Sequence, residues 1–420
     1  MMKDTKVKVI IKSIVSVVLF LVLLAVCTYN VDRTLKDKGN FLKYESFYEE
    51  DEPFDVLFFG SSRMLDGVYP MELWDEFGLT SYNMAQHSEG IKVSYWQMKN
   101  AFQYNTPKVA VVDVSLLHGG KIEKQDEETL SYLHKSLDHM PISKVKYDAM
   151  KDITEGVEIG EYLFPLAMYH NRWNDLERND IYVELPCRKG AEARVAIHPL
   201  VGVEWSSEEI NEEVDTEDIR LDAMVALCEE KGVQLVLTLM PAVGMAATEN
   251  VCTSVNYLEV YAKEHNIPFL NFAKEDDIIN YSIDFHDPSH LNPCGAKKVT
   301  KAIGDFLTAN YDFPAKTEKT KSTWQKFARD YMGVKLGEII IEAEAENLNY
   351  YLLLLNDNDF RIEIKMPDAS SIDTWKIQDI LNELETKDTE IIFDDSMSDV
   401  EVTVYEKETG EYFHSARFSK

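Results

Sequence analysis

The chain has 420 residues, of which 45% are hydrophobic and 28% charged, a composition typical of folded globular domains. This length predicts two or three domains. A net charge of −31, from 43 basic and 74 acidic residues, repels phosphate backbones and anionic membrane surfaces, which excludes nucleic-acid binding as a function class. The five cysteines are odd in number and include no CxxC pair, so they predict neither a zinc site nor a disulfide framework.

The N-terminus predicts a membrane anchor over residues 1–30. Residues 13–29 carry no charge and, with residues 9–11 in front, reach the ~20 apolar residues that a bilayer-spanning helix needs. Four lysines precede this span: Lys3, Lys6, Lys8 and Lys12. The positive-inside rule therefore places the N-terminus in the cytoplasm and everything after Asn30 outside, as a single-pass protein.

Two alternatives for this segment are a cleaved signal peptide and a lipoprotein signal over residues 24–27. No A-x-A cleavage site stands out, and Val26 is bulky for the position before a lipidated cysteine. In each case the bulk of the chain works outside the cytoplasmic membrane.

After a juxtamembrane linker predicted over residues 31–52, short apolar runs alternate with helical stretches. The predicted strands are residues 56–59, 81–85, 109–117, 233–241 and 267–272, and the predicted helices are residues 93–105, 219–232, 255–266 and 293–311. Apolar strands that alternate with helices favour a parallel sheet covered on both faces. Residues 53–312 are therefore predicted to form a doubly wound, flavodoxin-like α/β domain.

Two further regions depart from this alternation. Residues 119–215 are rich in charged and aromatic residues and predict a mostly helical insertion beside the carboxyl edge of the sheet, where loops line the substrate crevice. From residue 318 a polar linker leads into a small α+β domain, predicted to end at residue 420. Polar–apolar alternation over residues 338–344 and 360–365 predicts half-exposed strands there, and residues 356–359 resemble a turn.

One candidate for chemistry lies at the end of the first predicted strand. Residues 55–65 read DVLFFGSSRML, so a buried strand stops at Gly60 and two serines, Ser61 and Ser62, follow at once. Such a stretch is either an ordinary turn or a turn that presents a serine hydroxyl for nucleophilic attack.

A second candidate, Asp287-Pro288-Ser289-His290, precedes the final predicted helix. The three-residue spacing lets the carboxylate bind one imidazole nitrogen of His290 while the other nitrogen points outward, as a base that activates a serine requires. His286 is a competitor beside Asp287, but it lacks this spacing. Taken alone, Asp-Pro is also a common turn.

Together the two stretches resemble the SGNH/GDSL hydrolase superfamily. In that superfamily the first strand ends in a Gly-Asp-Ser-like turn, and an Asp-x-x-His block precedes the final helix. The resemblance covers residues 53–310 in two islands, and it implies that Ser62 is the nucleophile, His290 the base and Asp287 its partner. Aligning the motifs leaves Ser61 in the place of the family's aspartate.

Two other blocks depart from the superfamily pattern, in which a glycine after the second strand and an asparagine after the third supply oxyanion donors. The second block is residues 82–90, where Ser88 or Gly90 is a candidate for a backbone N–H donor. The third block, residues 111–120, lacks the asparagine, so its donor is missing or comes from elsewhere.

Asp113 and Ser115 occupy the place of that asparagine. Each preorganised oxyanion donor contributes about 3 kcal/mol to lowering the barrier, so the source of these donors matters. The backbone N–H of Ser62 is expected to supply one. Arg63 is a cationic candidate for another, but the preferred interpretation of Arg63 is a salt bridge.

This divergent form, with an N-terminal anchor, is similar to the DltD-like and AlgJ/AlgX-like proteins of bacterial envelopes, which act in acylation of cell-surface polymers. The resemblance implies a membrane-bound O-acyltransferase as partner and a cell-surface polysaccharide as substrate. No cofactor and no metal are expected.

Residues 169–173 within the insertion, Tyr-His-Asn-Arg-Trp, combine aromatic rings with a cation and an imidazole. Sugar sites use such groups, which makes His170 and Arg172 candidates for substrate binding. The preferred interpretation is a helix that packs Phe164, Met168 and Trp173 into the core, with His170 and Arg172 hydrogen-bonded locally.

The leading expectation is a serine-dependent acyltransferase outside the cytoplasmic membrane. An esterase or deacetylase of envelope glycan would use the same groups with water as acceptor. A third possibility is a non-catalytic scaffold that binds glycan or organises an acylation complex, for which the absent third-block asparagine is the best support.

Overall fold

The structure of the chain is a computed structural model. It describes residues 2–35, 38–117, 127–154, 159–176, 180, 187–274, 278–343, 348–355, 360–384 and 388–419.

The N-terminal region consists of two helices, α1 (Met2–Leu35) and α2 (Lys38–Tyr48). The stretch Lys8–Leu35 of α1 is long and apolar enough to cross a membrane, and its side chains are exposed through Val31. Residues 31–52 were expected to form a linker, but they are largely helical. Tyr44 and Phe47 on α2 are buried in the main core, which explains why this segment is ordered against the domain.

A parallel sheet of five strands forms the centre of the molecule. Its strands are β1 (Val56–Phe59), β2 (Ser81–Asn83), β3 (Val109–Asp113), β4 (Gln234–Leu239) and β5 (Phe269–Asn271). They are arranged in the order β2-β1-β3-β4-β5, with every pairing parallel. The prediction of a doubly wound, flavodoxin-like sheet is confirmed, and the strand order reverses beside β1, where such folds bind ligands.

The inner strands β1, β3 and β4 are buried on both faces, apart from Gln234 at the start of β4. In β1, Leu57 and Phe59 join one hydrophobic cluster, whereas Val56 and Phe58 join a second cluster on the opposite face. This alternation follows from the two-residue period of a strand, and it explains why the predicted strands read as continuous apolar runs.

Helices cover both faces and form the insertion. They are α3 (Ser62–Gly67), α4 (Pro70–Phe77), α5 (Ile91–Ala101), α6 (Glu127–Leu137), α7 (Lys144–Ile153), α8 (Ile159–Leu163), α9 (Leu166–Tyr169), a 3₁₀ helix (His170–Asn174), α10 (Leu221–Lys231), α11 (Val243–Ala246), α12 (Glu249–Glu264) and α13 (Pro293–Asn310). A two-stranded ribbon, β6 (Phe285–Asp287) and β7 (His290–Leu291), precedes α13. Within the insertion the described segments are helical up to Asn174, whereas residues 191–210 have no regular secondary structure.

The C-terminal part is a small α+β unit, as predicted. It contains α14 (Glu318–Ala343), α15 (Leu348–Leu354), β8 (Phe360–Met366), α16 (Ser370–Trp375), α17 (Gln378–Leu384), β9 (Thr389–Phe393), β10 (Val400–Glu406) and β11 (Tyr412–Phe418). The four strands pair in the order β11-β10-β8-β9. The domain boundaries assigned from sequence stay predictions.

Two sequence predictions in this part are wrong. The polar linker from residue 318 and the strand over residues 338–344 both belong to helix α14 up to Ala343. This helix buries Trp324 and Tyr331, which lie seven residues or about two helical turns apart, in the main core, and it buries Leu336 in the core of the C-terminal unit. The turn expected at residues 356–359 lies outside the described residues.

Candidate functional site

The turn after β1 requires glycine at position 60. Gly60 has φ +141°, a conformation that side chains rarely adopt, and a Cβ there would lie 2.6 Å from Asp113 Cβ. Ser61 follows as the N-cap of α3, and its Oγ accepts a 3.3 Å hydrogen bond from the backbone N–H of Arg63. The strand therefore ends in a tight turn that places Ser62 at the first residue of α3.

Ser61 faces into the molecule. Its hydroxyl donates to Asp113 Oδ2 at 2.9 Å and lies 3.1 Å from Ser115 Oγ. Asp113 in turn accepts backbone N–H groups from Ser115 at 3.1 Å and from Met240 at 3.3 Å, so its position is fixed by two strands. Asp113 and Ser115, which replace the expected third-block asparagine, thus hold the turn in place through hydrogen bonds to Ser61.

Ser62 faces the ribbon before α13. Its Oγ lies 2.8 Å from Nε2 of His290, and Nδ1 of His290 lies 2.9 Å from each carboxylate oxygen of Asp287. The three residues predicted as nucleophile, base and orienting carboxylate are therefore joined in one hydrogen-bonded chain. His290, and not His286, makes the contact with the Ser62 hydroxyl.

The Asp287 carboxylate is held by the loop that carries it. Its Oδ1 accepts the backbone N–H of Ser289 at 2.8 Å and that of His290 at 3.0 Å. Behind the loop, Asn292 caps α13 by accepting the N–H groups of Cys294 and Gly295. The Asp-x-x-His spacing thus closes a compact turn in which the carboxylate reaches the imidazole.

Electrostatics at these three residues favour a neutral imidazole. Burial lowers the pKa of His290, and the positive charges of Arg194 and Arg63 act in the same direction, although Asp287 opposes them. Burial raises the pKa of Asp287, but the Ser289 N–H and the His290 ring outweigh it and hold that pKa below its ordinary value. A neutral imidazole beside an ionised carboxylate is the state in which His290 accepts a proton.

Arg63 lies beside this chain of hydrogen bonds with its guanidinium unpaired. Among the described residues, its buried Nε has no hydrogen-bond partner and its side chain forms no ion pair, so the preferred prediction of a salt bridge for Arg63 is wrong. Burial lowers the pKa of Arg63, while the carboxylates of Asp113 and Asp287 raise it from a distance. The guanidinium is therefore available to a negatively charged group near Ser62.

Asp66 and Arg194 form an ion pair near the site. Nε of Arg194 lies 2.5 Å from Oδ2 of Asp66, which is fully buried on α3 one turn after Ser62. Burial raises the pKa of Asp66 to about 6, and Arg194 limits that rise. Since Arg194 also interacts electrostatically with Asp287 and His290, it brings a second positive charge to the edge of the site.

The loop after β2 runs beside the Ser62 turn. The backbone N–H of Gln86 donates to the carbonyl of Gly60 at 3.0 Å, and the Asn83 amide donates to the carbonyl of Met64 at 2.9 Å. Among the described residues, the backbone N–H groups of Ser88 and Gly90 have no acceptor. Both candidate donors therefore lie on the loop beside the Ser62 turn, and within the described part of the chain their N–H groups donate no hydrogen bond.

Glu89, between these two candidates, is buried and anchors the loop. Its carboxyl oxygens accept hydrogen bonds from Ser94 at 2.8 Å, Gln97 at 2.5 Å and Ser136 at 3.1 Å. Burial raises the pKa of Glu89 to about 8, and these hydrogen bonds oppose the rise. At neutral pH the carboxyl is therefore mostly protonated, which removes the cost of burying a charge.

The structure does not bring Arg172 to Ser62. Its Nη1 donates to the carbonyl of Leu35 at 2.7 Å, and its Nη2 lies 2.9 Å from Oδ1 of Asp180. His170, on the same 3₁₀ helix, is exposed. These two candidates for sugar binding therefore lie at the end of α1. The expected packing of Phe164, Met168 and Trp173 into the core is wrong, because all three side chains are exposed.

Within the described part of the chain, no group of three or more His, Cys, Asp or Glu side chains could hold a metal ion. The site consists of hydrogen-bonded protein groups, and its chemistry is that of a hydroxyl, an imidazole and a carboxylate flanked by two guanidinium groups.

Sequence reasoning missed Asp66, Arg194 and Glu89. The position of Asp66 could have been predicted, because it lies four residues after Ser62 and so on the same face of a helix. The position of Arg194 could not, because it lies in an irregular segment far from the site along the chain.

Comparisons with known proteins give matches among solved structures only: no family model and no curated protein matches the chain. One match is a candidate acylhydrolase of Bacteroides fragilis NCTC 9343, at 12% identity over 65% of this chain and 98% of that one, with a TM-score of 0.34. Another is a GDSL-like lipase of Bacteroides thetaiotaomicron VPI-5482, at 12% identity over 66% of this chain and 100% of that one, with a TM-score of 0.35.

Proposed function

We propose that the chain is a serine-dependent acyl-transfer enzyme that works outside the cytoplasmic membrane on a cell-surface polysaccharide or related envelope polymer. The observation that carries the proposal is the 2.8 Å contact between Ser62 Oγ and His290 Nε2, with His290 Nδ1 bonded to Asp287. A serine alone is a weak nucleophile, and this arrangement is the general solution by which a neighbouring base activates it.

In the first step Ser62 Oγ attacks the carbonyl carbon of an acyl donor while His290 Nε2 takes the hydroxyl proton. Asp287 keeps Nδ1 of His290 protonated and stabilises the imidazolium that forms. The bond to the leaving group then breaks, His290 returns the proton to that group, and an ester on Ser62 remains. An acceptor hydroxyl next loses its proton to His290 and attacks the carbonyl carbon of this ester. The bond between that carbon and Ser62 Oγ breaks, His290 returns the proton to Oγ, and the acceptor leaves with the acyl group.

The negative charge that develops on the carbonyl oxygen needs donors already in place. The backbone N–H of Ser62 supplies one, and the N–H of Ser88 or Gly90 supplies a second from the adjoining loop. Arg63 is the third candidate, because its guanidinium is unpaired among the described residues and follows Ser62 directly. In this assignment the cation replaces the side-chain donor that the third block lacks.

Transfer rather than hydrolysis is proposed because the chain has an N-terminal helix long and apolar enough to anchor it at a membrane. An anchored enzyme receives its acyl group from a donor at the same surface, and the resemblance to envelope acylation proteins implies a membrane-bound O-acyltransferase in that role. The proposed topology is single-pass, with the N-terminus in the cytoplasm and Ser62 outside.

The test is to trap the acyl-enzyme. The full-length protein in detergent is mixed with an activated acetyl ester, quenched in acid and digested, and the peptide that contains Ser62 is examined for an acetyl group. The expected result is acetylation of Ser62. The acetyl group should then be lost from Ser62 several-fold faster when polysaccharide is added than in buffer alone. The matched control for Ser62→Ala is Ser282→Ala, which changes an exposed serine of the same α/β domain. It should leave both the acetylation of Ser62 and the loss of the acetyl group unaltered.

Two outcomes separate the alternatives. Clearance at the same rate with and without polysaccharide would identify a hydrolase. If cells that carry Ser62→Ala kept normal acylation of their surface polymer, while deletion of the whole protein abolished it, the chain would be a scaffold and the proposal would be overturned.

A further inference from the structure

A buried lysine of α2 contacts the loop that carries the candidate oxyanion donors. Lys43 is only 5% exposed, and its Nζ donates a 2.5 Å hydrogen bond to the backbone carbonyl of Ala85. Burying an ammonium group costs free energy unless it is bonded, so this contact is a strong constraint on the position of Ala85. The segment that carries Lys43 directly follows α1 and was predicted from sequence to be a linker.

The peptide group between Ala85 and Gln86 joins Lys43 to the turn that precedes Ser62. Its carbonyl accepts from Lys43, and its N–H, which belongs to Gln86, donates to the carbonyl of Gly60 at 3.0 Å. The carbonyl and the N–H of a trans peptide point in opposite directions. This one planar group is therefore held from both ends, by α2 at its carbonyl and by the nucleophile turn at its N–H.

The contacts of Gln86 extend this constraint to Ser88. The side chain of Gln86 donates from Nε2 to the hydroxyl of Tyr44 at 3.3 Å and accepts the backbone N–H of His87 at 2.9 Å. Its backbone carbonyl accepts the N–H of Glu89 at 3.3 Å. Ser88 lies between these two neighbours and has φ +55°, a conformation that residues other than glycine keep only where their surroundings impose it.

Electrostatics keep the Lys43 side chain charged at neutral pH. Burial lowers the pKa of Lys43 to about 8, and the acidic groups of Glu192, Glu89 and Asp66 oppose that fall. Since pH 7 lies about one unit below this value, most Lys43 side chains are protonated there. The bond to the Ala85 carbonyl is therefore charge-assisted, and such bonds are stronger than those between neutral groups.

We propose that Lys43 is a positioning residue for acyl transfer, which holds the peptide group between Ala85 and Gln86 so that the loop presents a backbone N–H to the developing oxyanion. This rests on the proposed function, in which Ser88 or Gly90 supplies the second oxyanion donor. Such donors lower the barrier only when they are in place before the charge develops. A loop that has lost its contact with α2 would therefore slow the reaction even where the ester still binds.

The experiment compares two esters that differ at the atom that takes the charge. The full-length protein in detergent at pH 7 is mixed with an aryl acetate or with the matching thionoester, in which sulfur replaces the carbonyl oxygen. Release of the aryl group is followed over a range of ester concentrations. Sulfur accepts hydrogen bonds weakly, so the oxygen ester gains more from the oxyanion donors than the thionoester does.

Lys43→Met keeps the length of the side chain but removes its donor. The maximal rate with the oxygen ester should fall by roughly tenfold to a hundredfold, and the rate with the thionoester should fall much less. The ester concentration that gives half the maximal rate should stay within about twofold, because the loop acts on the transition state.

The matched control is Lys146→Met. Lys146 is 1% exposed, and its Nζ donates to the carbonyls of Asp138 at 3.2 Å and Met140 at 3.0 Å, between α6 and α7. This variant loses a buried lysine of the same kind, so its stability should fall while the ratio of the two rates stays unaltered. If Lys43→Met does not fold, Lys43→Gln, which is neutral and shorter, replaces it and the same ratio decides.

The failures can be told apart. If the unaltered protein and Ser62→Ala release the aryl group equally slowly, the proposed function is overturned, and the role of Lys43 falls with it. If the unaltered protein reacts through Ser62 but Lys43→Met changes both rates by the same factor, only the positioning role is overturned, and Lys43 then contributes to stability alone.

Discussion

The Ser61 hydroxyl lies 2.9 Å from Asp113 Oδ2 and points into the molecule, while its neighbour Ser62 points outward to His290. Two consecutive serines thus have separate tasks because the turn after Gly60 rotates their side chains to opposite sides. The first is bonded to a carboxylate that β3 and the end of β4 hold in place. The second is left with the imidazole as its partner.

This division predicts opposite results for the two alanine variants. Ser61→Ala removes an N-cap and a buried hydrogen bond, so the free energy of unfolding should fall by about 1–2 kcal/mol. Acetylation of Ser62 should persist in this variant, although more slowly. Ser62→Ala should abolish acetylation and leave the unfolding free energy within about 0.5 kcal/mol of the unaltered protein. Denaturant titration and trapping of the acyl-enzyme measure the two quantities, and loss of acetylation in Ser61→Ala alone would reverse the assignment.

Asp287→Asn should slow acyl-enzyme formation by roughly 10³–10⁴-fold. The asparagine can still accept the backbone N–H groups of Ser289 and His290, so the loop should stay folded. The asparagine amide, however, donates to Nδ1 of His290 and so stabilises the imidazole tautomer with its proton on Nε2. In that tautomer Nε2 cannot accept a proton from Ser62. Single-turnover kinetics with an activated ester measure the loss. A reduction below tenfold would show that Asp287 has little part in the chemistry.

The rate of acyl-enzyme formation should depend on pH through His290. Burial and the charges of Arg194 and Arg63 lower the pKa of His290, so the rate should remain high at pH values below its ordinary range. In Arg63→Gln one repulsive charge is removed, the imidazolium becomes more stable, and the acidic limb of the profile should move to higher pH. Arg63→Lys retains the charge and serves as the control. A shift to lower pH in Arg63→Gln would contradict this account.

Glu89 should make the protein less stable as the pH rises. Burial raises the pKa of Glu89 from 4.5 to about 8, so between these values the folded chain keeps a proton that the unfolded chain releases. The corresponding stability is complete below about pH 4.5 and is lost as the pH rises through about 8, at no more than about 1.4 kcal/mol per pH unit. Melting temperatures measured from pH 5 to pH 8 should fall more steeply for the unaltered protein than for Glu89→Gln. Parallel curves would mean that Glu89 is ionised in the folded state.

Gly60→Ala should damage the turn that carries Ser62. The added Cβ would meet Asp113 Cβ at 2.6 Å, and φ +141° is itself strained for alanine. We expect a loss of at least about 2 kcal/mol of stability and a lower rate of Ser62 acetylation. Gly78→Ala is the matched control, because Gly78 also has positive φ but a Cβ there meets no atom within 4 Å. If Gly60→Ala and Gly78→Ala lost the same amount of stability, the positive φ alone would explain the effect, and the contact with Asp113 would not contribute.

The sequence by itself determined the central sheet and the candidate nucleophile, base and carboxylate. Strand β1 was predicted with its observed bounds because a strand buried on both faces must be apolar throughout. Ser62, Asp287 and His290 were predicted because two short local stretches, the turn after β1 and the Asp-x-x-His block, resemble motifs of the SGNH/GDSL superfamily, and the structure brings these three side chains into contact.

Only the tertiary structure decided what surrounds those residues. That Asp113 supports Ser61, that Arg194 adds its charge near His290, and that Arg172 binds the end of α1 all depend on contacts between segments far apart in the chain. Helix α14 was mistaken for a linker and a strand because the core that selects its buried face lies mostly outside the helix itself. Contacts between residues far apart in the chain leave no periodic signal in the sequence, because the two residues come together only when the chain folds.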